Sequence, residues 1–119
     1  METVRAIYAP DAMIWHNFDA LEARLDKRLS QSVADNLALL SALPKLIPKM
    51  KYKVWHEVET ATGFVRQHVI SGESSTDAPV AIPVCVVVEL TNQRISALYE
   101  YMDIRHLPAS ILEYFANNS

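Results

Sequence analysis

Glycine and cysteine are nearly absent from this chain: two and one, respectively, in 119 residues. Two glycines cannot build a phosphate-cradling loop or a dinucleotide fingerprint, each of which needs several at fixed spacing. The single cysteine, Cys85, cannot close an internal disulfide, which argues against a small secreted scaffold. Positive charge is short as well. Eleven Lys and Arg stand against fourteen Asp and Glu, for a net charge of −3. Such a balance disfavours a nucleic-acid binder, whose affinity comes from neutralising phosphates. Long apolar runs are missing too. The most apolar stretch, residues 80–88, is interrupted by Pro83 and falls far short of the ~20 residues that span a bilayer. Residues 1–9 lack the apolar run of a signal peptide. The expectation is a soluble cytoplasmic protein with no nucleic-acid or membrane partner. Half of the residues are apolar and 21% are charged. That composition excludes disorder and suits one compact domain, residues 1–119, able to bury roughly two-thirds of its unfolded surface.

Periodicity divides the chain into alternating elements. Residues 2–8 read as a short helical stretch ended by Pro10-Asp11, and residues 12–16 as a strand. A charged linker covers 19–29. Ser32, with Asp35 three residues on, opens a helix whose stripe is Val33, Leu37, Leu40 and Leu43; Pro44 and Pro48 stop it. The period then falls to two. Over 51–60, Tyr52, Val54, His56 and Val58 share one face, and Lys51, Lys53, Trp55, Glu57 and Glu59 the other. Residues 64–71 return as a second strand after Thr62-Gly63. Residues 80–90 are rich in valine and read as covered on both faces. Asn92-Gln93 makes a hairpin leading into a last strand, 94–103. Pro108 opens a closing helix with Ile111, Leu112 and Phe115 on one face. Consecutive strands with segregated helices imply an α+β fold with helices on one face of a curved sheet.

Several residues stand out as chemistry. Asp103 follows a strand on which Ile95, Ala97, Tyr99 and Tyr101 point one way. An acid ending an aromatic row suits the rim of an apolar pocket, where desolvation raises its pKa toward a general base or acid. An exposed acid paired with Arg105 explains the same pattern. Trp15 and Asn17 share a face and suit either a cavity wall or a core indole and a turn amide. Arg66 and His68 share another face, with Gln67 opposite. A partly buried His68 could relay a proton, and a solvated cross-strand pair explains it equally. His16, His56, His68 and His106 lack metal-ligand spacing, so no metal is expected. Lys45, Lys49, Lys51 and Lys53 read as a solvated patch, and Cys85 as a core thiol. No serine sits in a nucleophile elbow.

Three blocks carry a resemblance: residues 8–17 ending in Trp15-His16-Asn17, residues 62–70 reading Thr-Gly-Phe-Val-Arg-Gln-His-Val-Ile, and residues 94–103 with Glu100-Tyr101-Met102-Asp103. In their order and spacing they resemble the SnoaL-like branch of the nuclear transport factor 2-like superfamily. The middle block is similar to a strand of some bacterial members. The resemblance implies a cone-shaped barrel, a mostly antiparallel sheet wrapped around helices with a deep apolar pocket. It also implies pairing into homodimers through the outer sheet face, no cofactor, and proton-transfer chemistry on a small hydrophobic organic ligand. Asp103 matches the acid/base aspartate of polyketide cyclases. His68, through Gln67, would polarise or relay, and Trp15, Asn17, Gln67, Tyr99 and Tyr101 would shape the pocket. The function expected is isomerisation, cyclisation or dehydration of a carbonyl compound. A non-catalytic ligand-binding or dimeric module is the alternative. Epoxide hydrolysis is a weaker one, because Trp15 replaces the tyrosine of the hydrolases' Tyr-x-Asn pair and His68 the acid of their Arg-x-Asp pair.

Overall fold

The computed structural model describes residues 6–18, 21–73, 79–103, 105, 107 and 109–118. Its elements are strand β1 (Tyr8–His16), helix α1 (Leu21–Leu25), a 3-10 turn (Lys27–Leu29), helix α2 (Val33–Leu46), strands β2 (Lys51–Glu59), β3 (Gly63–Glu73), β4 (Pro79–Thr91) and β5 (Arg94–Met102), and helix α3 (Ala109–Asn118). The strands form one five-stranded sheet in the order β1-β5-β4-β3-β2. β1 runs parallel to β5, and the other neighbours are antiparallel. This is the α+β arrangement that the strand pattern implies.

The elements form for local reasons. Ser32 caps α2, its Oγ accepting from the Asp35 amide at 3.1 Å, a contact that contributes about 1 kcal/mol. Pro44 does not stop the helix, contrary to the sequence expectation. It lies in the last turn, where its missing N–H costs a single ladder bond, and the helix continues to Leu46. Asn92 and Gln93 both adopt positive φ, 52° and 67°, the backbone of a type I′ turn that matches the twist of the flanking strands.

Four further expectations are corrected. Tyr8 is strand, not helix; Pro10 and Asp11 sit in an irregular stretch of β1 where the register with β5 shifts. Residues 1–5 lie outside the described residues. The linker holds α1 and the 3-10 turn. On β2, Val54 pairs with His68 but His56 pairs with Gln67, so Trp55 is an extra residue. That bulge reverses the alternation and separates Tyr52 and Val54 from His56 and Val58. Finally, β4 is covered on one face only. Val80, Ile82, Val84, Val86 and Val88 are buried, while Ala81 and Pro83 are exposed. Valine suits a pleated strand whether or not its face is covered, so composition alone overstates burial.

The core fills the space between the inner sheet face and the helices: Leu43 and Ile47 from the α2 end, Ile111 from α3, and the buried residues of β4. Ile111 is fully buried and Leu112 half-exposed, and the side chain of Phe115 lies outside the described residues. Gly63 is irreplaceable where β3 begins, because a Cβ there would lie 1.9 Å from the Val88 carbonyl oxygen. Two substitutions therefore act in opposite directions. Gln93→Gly relieves a left-handed side chain and is expected to raise stability by about 0.5–1 kcal/mol. Gly63→Ala is expected to lower it by at least about 2 kcal/mol. Urea midpoints measure both.

Candidate functional site

Alternation along the strands decides what faces the helices. Leu98, Glu100 and Met102 of β5, Val86 and Val88 of β4, and Phe64, Arg66, His68 and Ile70 of β3 line a cavity of about 460 Å³. Tyr8 and His16 of β1, Tyr52 of β2, and Asn36, Leu39, Leu40 and Leu43 of α2 complete most of its wall. Hydrogen-bonded register sets the polar groups in rows. His16 neighbours Glu100, Glu100 neighbours Val86, and Val86 neighbours Arg66.

His68 is the most deeply placed titratable group of β3, 8% exposed. Its ring lies 5.7 Å from that of Tyr52. Its Nδ1 has no hydrogen-bond partner among the described residues. Burial, and then the positive charge of Arg66, hold its pKa below the ordinary histidine value. His16 is fully buried, with Nε2 3.6 Å from a Glu100 carboxylate oxygen and its ring stacked on Phe18 at 4.6 Å. Burial raises the pKa of Tyr8, the charge of Glu100 adds to the rise, and a hydrogen bond from Asn36 opposes it. Burial and then Glu100 raise Tyr52 in the same sense. Both phenols therefore keep their protons and can donate. Arg66 is committed elsewhere. It pairs with Glu57 at 2.7 and 2.8 Å and lies over the Phe64 ring. No three His, Cys, Asp or Glu side chains among the described residues are grouped to hold a metal.

Most of the residues singled out from the sequence lie on the other side of the sheet. Tyr99 and Tyr101 do share a face with Asp103, but it is the outer one. Trp15 packs against Tyr101 at 5.2 Å, and Lys27 Nζ sits 4.2 Å from the centre of the Tyr99 ring. Asn17 uses its amide to extend the β1–β5 ladder, donating to the Met102 carbonyl and accepting from the Met102 amide, both at 3.0 Å. Asn17, Gln67, Tyr101 and Asp103 line a shallow outer groove with Trp55 and Cys85. Asp103 accepts from the Arg105 backbone amide and from its guanidinium at 3.1 and 2.9 Å. Of the expected site residues, His68 alone lines the cavity. A two-residue period separates faces without saying which is concave, and here that choice inverts the expectation for Trp15, Asn17, Gln67, Tyr99, Tyr101 and Asp103. The residue missed is Glu100. Its signal was an acid flanked by Leu98 and Met102 in an apolar row.

The depressed His68 value has a stability consequence. Between that value and the ordinary 6.5, the unfolded chain binds more protons than the folded one. Stability contributed by this site thus rises with pH across the interval and is level above it. His68→Leu is expected to flatten that part of the curve. Urea midpoints from about pH 5 to 8 measure the slope, and equal slopes in the two proteins would exclude a buried neutral His68.

No protein-family model matches the sequence, and no curated protein matches it. Solved structures do match. IdmH from Streptomyces antibioticus, provisionally a polyketide cyclase, is 19% identical over 86% of this chain and 79% of its own, with a TM-score of 0.69. A SnoaL-like protein from Jannaschia, also provisionally a polyketide cyclase, is 12% identical over 87% and 72%, with a TM-score of 0.69. An NTF2-like protein of unknown function from Burkholderia pseudomallei is 17% identical over 91% and 85%, with a TM-score of 0.67. No helix among the described residues is long and apolar enough to cross a membrane. A curved sheet closed over a deep cavity, and shared in outline with these structures, gives the chain the fold of the nuclear transport factor 2-like superfamily, in which SnoaL-like and ketosteroid isomerase-like proteins are found.

Proposed function

We propose that the chain is a small-molecule enzyme that isomerises, cyclises or dehydrates a hydrophobic carbonyl compound by proton transfer inside the cavity. One observation carries this reading: a buried imidazole, its pKa held below the ordinary histidine value, lines a mostly apolar cavity. A neutral histidine in such a place suits a general base. His68 takes the proton from the carbon next to the carbonyl. The C–H electron pair moves into the carbonyl, whose oxygen becomes an enolate. The Tyr52 hydroxyl, kept protonated and carried on a ring 5.7 Å from that of His68, is the donor for that oxygen. Returning the proton to another carbon isomerises the substrate. Attack of the enolate on a second carbonyl closes a ring, the proton held by His68 passing to the new alkoxide, and departure of a β-hydroxyl as water, carrying that same proton, dehydrates. The acid/base role that the resemblance carries onto Asp103 passes to His68, because Asp103 is held by Arg105 beside the outer groove.

The test is washout of α-protons from a panel of bicyclic ketones in D2O, followed by NMR. Wild type is expected to accelerate exchange. His68→Asn is expected to slow it by about 10²-fold or more, while Asp103→Asn stays within about twofold. The reverse ranking would return the role to Asp103. A ligand-binding module without turnover is the second reading, favoured by the Asp103–Arg105 pair. Ketone binding with no washout would establish it.

The reading places the protein in the cytoplasm, consistent with its one free thiol, Cys85. It also pairs two copies through the outer face, where Trp55 is 58% and Tyr101 41% exposed. Sedimentation equilibrium is expected to give a dimer for wild type and a monomer for Tyr101→Asp. A monomeric wild type would remove this part.

A further inference from the structure

The bulge on β2 decides what faces Arg66. Up to Val54 the β2–β3 register is uninterrupted, with Val54 opposite His68. Continued without the extra residue, that register would set His56 opposite Arg66 and Glu57 opposite Val65. Beyond Trp55 it sets Glu57 opposite Arg66 instead. Directly opposite residues of an antiparallel pair stand on the same face. Arg66 lines the cavity, so the bulge re-aims the Glu57 carboxylate onto the inner face beside it.

Glu57 accepts from Arg66 Nε at 2.8 Å, and Arg66 Nη2 lies 2.7 Å from the same oxygen. The guanidinium rests over the Phe64 ring, 5.2 Å from its centre. The two side chains are 41% and 44% exposed, and an ion pair so exposed contributes little to stability. What it holds in place is a positive charge. Arg66 and His68 are two residues apart on one face of β3, about 7 Å along the strand, and both line the cavity. The other titratable groups lining it among the described residues are Tyr52 of β2, Glu100 of β5, and Tyr8 and His16 of β1; from α2 come only Asn36 and leucines. Burial acts first on the His68 imidazole and the charge of Arg66 second, both against its protonation. Glu57 sets a negative charge against that guanidinium, so the imidazole feels a compensated cation rather than a free one.

We propose that Glu57, brought to the inner face by the Trp55 bulge, is a positioning residue: it clamps the Arg66 guanidinium over Phe64 and, through Arg66, sets how strong a base His68 is. Without Glu57 the imidazole faces an uncompensated cation and becomes a weaker base, deprotonated to lower pH. Without Arg66 it becomes a stronger base that protonates at higher pH. The catalytic consequence rests on His68 being the base, as proposed above. The linkage among the three side chains does not require turnover.

NMR titration of the His68 Cε1–H resonance, assigned by its loss in His68→Asn, tests the linkage. Arg66→Met is expected to move the midpoint up and Glu57→Gln to move it down. Glu57→Asp and Arg66→Lys keep the charges and are expected to stay closer to wild type than the neutral variants. Glu57→Gln added to Arg66→Met is expected to shift the midpoint less than it does alone, because Glu57 acts through Arg66. The washout of α-protons reads the same order on its acid limb. At the pH where wild type runs at half of its plateau rate, Arg66→Met is expected to run at about a third or less of its own plateau, and Glu57→Gln at about two-thirds or more. A His68 midpoint unmoved in both neutral variants would overturn the linkage, and so would a shift of the same sign in both. A moved midpoint with an unmoved acid limb, or with no washout at all, would leave the linkage standing and remove His68 as the base.

Discussion

Five residue pairs tie β1 to β5 in parallel, and the cavity depends on them. Parallel pairs are slightly weaker per residue than antiparallel ones, and this one is interrupted by a register shift between Tyr8 and Met13. Side chains and loops reinforce it. The Asn17 amide mimics a further rung against Met102, and the Asn17 backbone donates to the Glu100 carbonyl at 3.0 Å. Gln31 donates its backbone amide to Ile14 at 2.8 Å, tying the start of α2 to the same strand. The pairing sets His16 beside Glu100 and carries Tyr8 to the wall. Without β1 the sheet would end at β5, and Glu100 would sit on an edge open to water instead of under α2. Asn17 was singled out as a pocket residue. Its contribution is to hold the strand that makes the pocket.

Much of this was legible in the sequence, because much of it is local. The Ser32 cap, the Asn92-Gln93 turn and the alternation of β5 from Ala97 onward are short-range effects, each set by a few neighbouring side chains. Pro44 misled because a proline in the last turn of a helix removes one bond, whereas one in the middle would break it. Trp55 misled because a bulge is a property of two strands together. Nothing in residues 51–59 alone says that β3 pairs around an extra residue. The largest inversion, at Tyr99, Tyr101 and Asp103, has the same origin. The alternation holds from Ala97 to Tyr101 but not at Ile95, which an extra residue at Ser96 turns into the cavity, and the concave side is fixed by where α2 packs. Leucines at 39, 40 and 43 could have packed on either face of the sheet.

The electrostatics of the cavity follow from one acid in an apolar row. Glu100 is retained on the inner face of β5 although its neighbours across β4 are valines. Removing a carboxylate from water costs several kcal/mol unless it is compensated. The His16 ring lies 3.6 Å from it, and the charge of Glu100, after burial, also raises the phenols of Tyr8 and Tyr52. Burial first, and then the charge of Glu100, keep Tyr8 and Tyr52 protonated. On His68, burial and then the positive charge of Arg66 act against the charged form and lower its pKa.

The register explains why these groups stay separate from the outer face. β3 and β4 pair without interruption from Gly63 to Glu73, and β4 and β5 from Val84 to Glu89. The shifts fall at the margins: on β1, on β2 at Trp55, and between Glu89 and Leu90. Bulges there bend and twist the sheet without changing which side chains point inward at its centre. A slip of one residue on β5 would exchange Glu100 and Met102 for Tyr99 and Tyr101. That would place two aromatic rings in the cavity and a carboxylate on the outer face. The uninterrupted central register resists the slip, so consecutive residues of β5 can serve two surfaces at once. Substitution at Tyr101 acts on the outer groove and substitution at Glu100 on the cavity, although the two are neighbours in the chain.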